Sequence, residues 1–301
     1  MDASPKNIPA APYVVIIGVL FASFSSIIIR LSTAPPLIIA FYRMFFASAV
    51  LLPFFLKRVC FNREKASPSD VVRMIAGGFF LALHFAAWIT SLGLTTVSSS
   101  VVLVSTHPVL VFFFSRLFFK ERGTTAQFVY VVLAIVGSAV LSLGDAGRGE
   151  TALSGNLLAF IGGMAVGFYL IVGRSVRKRH SLSYYTFFVY STSAFFLFIY
   201  AALAESSFFE YPPREWILFL LLALMCTLLG HSLYNWSLKY LPGTFISVTI
   251  LIEPIAASIM AFFLFSEIPT PVSGIGAALV LAGIYLYGRS TRRRTEEKSY
   301  R

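Results

Sequence analysis

Long apolar runs alternate with short polar connections along the whole chain of 301 residues. Most runs are close to the roughly 20 residues that an α-helix needs to cross about 30 Å of hydrocarbon. The pattern therefore predicts an all-α polytopic membrane protein with ten transmembrane helices. The predicted spans are residues 13–31, 37–56, 71–94, 98–119, 125–143, 154–173, 184–204, 215–240, 244–265 and 270–288.

Composition supports the same class of protein. Hydrophobic residues make up 57% of the chain and charged residues 12%, and the mean hydropathy is +0.81. A water-soluble domain of this size cannot cover so much apolar surface. The composition thus excludes an ordinary soluble protein.

Two segments, 84–121 and 231–267, are versions of one another. If the alignment is allowed an offset of one residue, His84 pairs with His231, His107-Pro108 pairs with Glu253-Pro254, and Glu121 pairs with Glu267. Five predicted spans lie in each half, and an odd number of spans means that the second copy inserts upside down. The predicted organisation is a tail at 1–12, a first repeat at 13–145, an inverted second repeat at 150–288 and a basic tail at 289–301.

Lysine and arginine concentrate in every second connection. They cluster at 57–73, 120–122 and 174–179 and again from Arg289 onward, whereas the other connections are acidic or neutral. Because basic loops stay in the cytoplasm, this bias predicts both termini inside a cell membrane, either an inner or a plasma membrane. The charge pattern and the repeat are separate observations that agree on inverted halves.

The net charge of +11 does not indicate nucleic acid, because the basic residues lie in connections without interleaved aromatic side chains. The tail with Arg292, Arg293 and Arg294 is expected to contact anionic lipid headgroups instead. Cys60 and Cys226 have no spacing typical of a metal site or a disulfide framework, so neither metal nor cofactor is expected.

Three marks together resemble the EamA-type carriers of the drug/metabolite transporter superfamily. They are Arg43 in Phe41-Tyr42-Arg43, Pro108 followed by Glu121, and Glu253-Pro254 followed by Glu267. The similarity runs over about residues 13–288. It implies two inverted five-helix repeats, a central cavity that opens alternately to each side, small organic substrates, and spans five and ten as an outer scaffold.

Glu253 lies near the middle of predicted span nine, where an ionisable group costs at least about 2.5 kcal/mol to insert. The next residue, Pro254, cannot donate to the carbonyl of Ile250 and therefore opens the helix beside the acid. Glu253 is predicted to exchange a coupling proton or to bind a cationic substrate group. The alternative is a structural hydrogen bond to a neighbouring helix or to the loosened backbone.

His107 and Pro108 hold the equivalent position in span four, where the carbonyl of Val104 loses its donor. If His107 and Glu253 face one cavity, they can form a protonatable pair. The alternative for His107 is a hydrogen-bonded packing role. Pro108 and Pro254 are the predicted helix-break and gating positions.

Arg43 keeps its charge and must face protein or water inside span two, flanked by Tyr42. It is predicted to hold a substrate carboxylate or phosphate, or else to pair with Glu253 or bind loosened carbonyls.

Polar and aromatic side chains share helix faces in spans three and eight. His84 and Trp88 are four residues apart, and His231 lies close to Tyr234 and Asn235. Such side chains suit the wall of a cavity for a small amphiphilic solute, or alternatively they pack helices together.

The predicted function is a secondary transporter for a small amino-acid-like, amphiphilic or zwitterionic metabolite, with protons as a candidate coupling ion. The chain contains no GxxxxGK[ST] motif, so ATP is not the expected energy source. Nearly all of its 13 acidic residues lie in connections, so an enzyme is not expected. The alternatives are an exchanger for nucleotide-like or phosphorylated metabolites, a lipid flippase and a channel. The expected partners are the solute and the bilayer, in a monomer or homodimer.

Overall fold

A computed structural model describes residues 10–61, 63–95, 100, 103–119, 123–144, 153–265 and 270–299 of the chain. Within them every regular element is helical. The elements are α1 (Ala11–Leu31), α2 (Pro36–Cys60), α3 (Pro68–Ser91), α4 (His107–Phe119), α5 (Thr125–Gly144), α6 (Leu153–Arg177), α7 (Leu182–Leu203), α8 (Pro213–Leu221), a π-helix (Leu222–His231), α9 (Ser232–Ser237), α10 (Gly243–Ile250), α11 (Glu253–Phe265) and α12 (Pro271–Ser299).

Six helices in the described part of the chain are long and apolar enough to cross a membrane, and shorter apolar helices accompany them. The six are α1, α2, α3, α6, α7 and the continuous segment Pro213–Ser237. The prediction of an all-helical membrane protein is confirmed at this level, and the number ten stays a prediction. Glu121 and Glu267, the acids that mark the repeat, lie outside the described residues.

Local chemistry sets several helix starts. Pro36, Pro68 and Pro213 each begin a helix, where the missing N–H of proline costs nothing. The Ser67 hydroxyl accepts a hydrogen bond from the backbone N–H of Asp70 at 3.2 Å and so caps α3. These signals are local and readable in the sequence.

Helix contacts follow the twofold pattern that the repeat predicts. α3 packs on α6, and in the equivalent contact the π-helix and α9 pack on α1. The pairs α2 with α7 and α5 with α12 each join equivalent helices of the two halves, and α4 packs on α10, which belongs to the equivalent predicted span. The core therefore lies between the halves rather than inside either of them.

α5 and α12 touch at the level of their backbones. A Cβ added to Gly137 would lie 2.6 Å from the backbone nitrogen of Val280, and one added to Gly283 would lie 2.8 Å from that of Ala134. Small residues allow such close approach where lipid provides no hydrophobic drive between helices. The two glycines thus fix this helix pair as one unit.

Two segments differ from the regular helices expected. The chain forms a π-helix over Leu222–His231 within predicted span eight, and the Thr227 hydroxyl donates to the carbonyl of Leu222 at 3.2 Å. At the end of the chain, α12 continues through Ser299, so the segment predicted as a basic tail is helical over its described part.

Candidate functional site

Two broken helices meet at a cavity in the middle of the bundle. The helix before Glu253 ends at Ile250, and α11 begins at Glu253 itself. In the first half, turn residues Ser105 and Thr106 precede the start of α4 at His107. One break lies directly before His107-Pro108 and the other directly before Glu253-Pro254. Proline has no backbone N–H, and this loss predicts an interrupted helix at each pair.

The cavity contains about 810 Å³ of empty space, counting the part open to its surroundings. Its wall combines hydroxyls, rings and one carboxylate. The lining residues with polar or aromatic side chains are Ser23, Ser25, Ser26, His84, Trp88, Ser105, His107, Tyr169, His231, Tyr234 and Glu253.

Glu253 lines the cavity from the first position of α11. The Tyr234 hydroxyl donates to its Oε1 at 2.8 Å. Among the described residues no basic side chain forms an ion pair with this carboxylate. Glu253 therefore faces the cavity as an acid with a neutral hydrogen-bond partner.

His107 satisfies the backbone of its own helix. Its Nδ1 donates to the carbonyl oxygen of Val104 at 3.0 Å. Val104 is the residue whose carbonyl Pro108 leaves without a donor. The imidazole thus replaces the missing backbone N–H, and this observation favours the structural alternative for His107, although the residue also lines the cavity.

His84 and Trp88 share one face of α3, as their spacing predicts. Their rings stack with centroids 5.7 Å apart and planes tilted by 6°. His84 Nδ1 donates to the carbonyl oxygen of Gly162 on α6 at 2.9 Å. That bond fixes the orientation of the pair at the cavity wall.

His231 sits at the end of the π-helix, with its ring 5.3 Å from that of Phe85 and 5.5 Å from that of Tyr234. Its Nδ1 is buried and has no hydrogen-bond partner among the described residues. His231 is therefore held by ring packing, unlike its counterpart His84.

Asn235 lies behind the wall rather than in it. Its amide nitrogen donates to the hydroxyls of Tyr169 at 2.5 Å and Tyr190 at 3.3 Å. Of these three side chains, Tyr169 lines the cavity. Asn235 thus holds a wall residue and does not itself face a solute.

Arg43 is fully buried and does not line the cavity. Its Nε donates to the Thr227 hydroxyl at 2.7 Å, and its guanidinium lies 4.2 Å from the centroid of the Phe85 ring. Both terminal nitrogens lack hydrogen-bond partners among the described residues. Arg43 is therefore a buried positive charge that packs against the Phe85 ring.

Tyr42 also lies outside the lining. Its hydroxyl donates to the carbonyl oxygen of Phe208 at 2.5 Å, and its ring stacks on Phe219 at 5.1 Å within an aromatic cluster that includes Phe41 and Trp216. In this conformation it anchors the connection after α7.

Sequence reasoning missed a matched pair of buried acids at the two ends of the bundle. Asp70 and Glu215 are each the third residue of a helix that begins with proline. Asp70 accepts hydrogen bonds from Arg179 and from His180, the latter at 3.1 Å. Glu215 accepts them from Ser32 and from the backbone and hydroxyl of Thr33.

Each acid thus binds the connection that follows the first helix of the opposite half. The repeated Pro-x-acid triplets, Pro68-Ser69-Asp70 and Pro213-Arg214-Glu215, were the available signal.

Comparison with known proteins agrees with this architecture. The model of the EamA-like transporter family matches the chain twice, over residues 10–143 and 153–289. An uncharacterized transporter of Archaeoglobus fulgidus is 24% identical over 275 residues, covering 88% of this chain and 91% of the relative. A probable terminal-alkyne amino-acid exporter of Streptantibioticus cattleyicolor is 24% identical, with 66% of each chain covered.

A solved crystal structure has the same fold, with a TM-score of 0.76 at 18% identity, covering 94% of this chain and 98% of the other. The family model spans nearly the whole chain in two copies. The chain belongs to the EamA-like transporter family and is a multi-pass membrane transporter.

Proposed function

We propose that the protein is a secondary carrier that moves a small, amine-bearing organic metabolite through the central cavity by alternating access. The observation that carries the proposal is the meeting of two broken helices, from opposite halves, around a cavity with an intramembrane acid. In secondary transporters such breaks place polar groups at the membrane midplane, where a solute can be held between two gates.

Contacts between connections support ten spans with inverted halves. If consecutive spans alternate in direction, successive connections lie on opposite sides of the membrane. Each contact must then join two connections that lie on the same side. One face holds Asp70–Arg179, Glu64–Ser181, Arg174–Leu241 and Gln127–Thr291; the other holds Ser32–Glu215 and Thr95–Asn156. Every contact agrees with the alternation.

The first of these faces carries the basic clusters, so we assign it to the cytoplasm together with both termini. Asp70 and Glu215 then lie on opposite sides of the membrane. Each is well placed to hold one side closed, and alternating access requires that they release in turn.

Glu253 provides the proposed coupling. A carboxylate that binds either a proton or a solute ammonium group, but not both, exchanges the two across the membrane. The chain has no nucleotide-binding motif, and exchange of this kind needs none.

Arg43 does not line the cavity, so its contact with a substrate carboxylate requires the wall to rearrange. Among the described lining residues there is no lysine or arginine. Phosphorylated metabolites, which need such donors, are therefore the weaker candidates.

Proteoliposomes test the carrier. Vesicles loaded with a mixed panel of amino acids, amines and phosphorylated metabolites are sampled over time, and each compound is quantified by mass spectrometry. We expect saturable loss of one chemically related group, accelerated by the same compounds on the outside. Equal loss of all compounds, at a rate without saturation, would indicate a channel and contradict the proposal.

A further inference from the structure

Glu253 is the one formally charged side chain among the described residues that line the cavity. The nearby cation, Arg43, has no part in the lining and packs against the Phe85 ring. A solute in the cavity therefore meets a negative charge directly and meets no exposed positive charge on the described wall. Opposite charges attract more strongly in a site of low dielectric than in water.

Several hydrogen-bond donors of the wall are already in use. The hydroxyl of Tyr234 donates to Glu253, that of Ser23 to the carbonyl of Val19 at 2.7 Å, and that of Ser26 to the carbonyl of Ser23 at 3.4 Å. A hydroxyl that donates to protein keeps lone pairs that can only accept. His84 likewise donates from Nδ1 to Gly162, which in the neutral ring leaves the other nitrogen as an acceptor.

This arrangement favours a solute that brings several donors of its own. A carboxylate or phosphate brings acceptors and would face the Glu253 carboxylate and these lone pairs. An ammonium group brings up to three donors and a positive charge, so that it matches both the carboxylate and the hydroxyl lone pairs.

Aromatic rings complete the wall around the acid. Trp88, Tyr169 and Tyr234 all line the cavity, and Tyr234 is bonded to the carboxylate. The faces of such rings attract cations, and tryptophan is the best of them. An acid in a cavity that aromatic rings also line is an arrangement that suits an organic ammonium group.

We propose that the cavity recognises the ammonium group of a small organic amine, with Glu253 as its counter-ion, and that it does not recognise a carboxylate. The inference rests on the proposed function, since it names the chemical class for the same cavity. For an amino-acid-like substrate, the amine is then the group that is recognised. An amine without a carboxylate is a sufficient ligand.

Three probes with one phenyl body separate the possibilities: 2-phenylethylamine carries the amine alone, phenylalanine carries both groups, and 3-phenylpropionate carries the acid alone. Their effects on the melting temperature of the purified full-length protein in detergent are compared at matched concentrations. A ligand that binds the folded state raises this temperature.

We expect 2-phenylethylamine to stabilise the protein at least as much as phenylalanine, and 3-phenylpropionate to have no effect. Stabilisation by 3-phenylpropionate, by phenylalanine alone, or by none of the three overturns the inference. This ranking uses the wild-type protein and depends on no variant.

The variant Glu253→Gln should lose the response to 2-phenylethylamine, measured relative to its own melting temperature. Glu205→Gln makes the same chemical change at an exposed position and should keep the full response. Retention of the response in Glu253→Gln also overturns the inference. If the vesicle panel showed a saturable flux of acids, the proposed carrier function would stand and the proposed recognition of an amine would be wrong. The failure of one proposal is therefore distinguishable from the failure of the other.

Discussion

The two helix breaks, at His107-Pro108 and at Glu253-Pro254, occupy equivalent positions in the two halves, yet their polar side chains have different partners. His107 bonds to Val104 in its own helix, whereas Glu253 bonds to Tyr234 on another helix and faces the cavity. The equivalent histidines also differ: His84 bonds to the Gly162 carbonyl on α6, whereas His231 is held by rings.

The comparison teaches that equivalent positions of a duplicated chain can take different roles: the break in the first half bonds to its own backbone, and the break in the second half places a carboxylate on the cavity wall. The duplication supplies the scaffold, since equivalent helices pack in equivalent pairs. The chemistry arises where the copies differ. Variants at equivalent positions should therefore separate into effects on transport and effects on stability.

The largest expected effect is on transport by Glu253→Gln. Loss of a charge-assisted hydrogen bond of about 1.5–3 kcal/mol predicts about a tenfold to hundredfold weaker apparent affinity for an amine. Wild-type binding should weaken as pH falls, because protons compete for the carboxylate, and the variant should lose this pH dependence. Counterflow measured over a pH series checks both. An unchanged pH profile would remove Glu253 from the coupling role.

The junction between the halves is tested within one helix, α12. Gly283→Ala places a methyl group against the backbone of α5 and should destabilise the fold by about 1–3 kcal/mol through overpacking. Gly274, which has nothing within 4 Å of its added Cβ, is the matched control, and Gly274→Ala should be neutral or slightly stabilising. Melting temperatures in detergent give the comparison; equal effects at both positions would contradict the close packing.

His107→Ala removes the donor to the Val104 carbonyl. Leaving a buried carbonyl without a partner should lower stability by about 1–3 kcal/mol, while amine binding by the remaining folded protein changes little. Thermal unfolding and ligand-induced shifts are measured on the same samples. The opposite result, normal stability with lost binding, would make His107 the equal of Glu253 and end the contrast between the two breaks.

The smallest effects are expected at the paired acids on the two faces. Asp70→Asn removes a charge that Arg179 and His180 share. Because the Arg179 side chain is 50% exposed, the free energy of unfolding should fall by on the order of 1 kcal/mol, and this loss should shrink in high salt. Glu215→Gln alters hydrogen bonds to hydroxyls and a backbone N–H, so its effect should depend less on salt. A stability series in salt tests this difference, and identical salt dependence would refute it.

Much of the architecture could be predicted from the chain. The apolar runs, the paired motifs and the prolines indicated helices, a repeat and breaks at Pro108 and Pro254. The stacked pair His84 and Trp88 followed from helical spacing alone. These features depend on neighbours within a few residues, or on whole segments of similar composition.

Other features could not be read in advance. Arg43 and Tyr42 sit on the expected helix, but which way they point depends on α7 and the π-helix, which pack against α2. The π-helix moves Thr227 and His231 around the helix axis, and a 3.6-residue period cannot predict that shift.

The sequence by itself determined that the chain is apolar, duplicated and broken by proline beside an acid within an apolar run, because hydropathy and the missing proline N–H act locally. The tertiary structure decided which polar groups are already bonded and which face the cavity. Hydrogen-bond partners such as Tyr234 for Glu253 and Gly162 for His84 come from distant helices, and contacts between distant helices exist only once the halves have packed together.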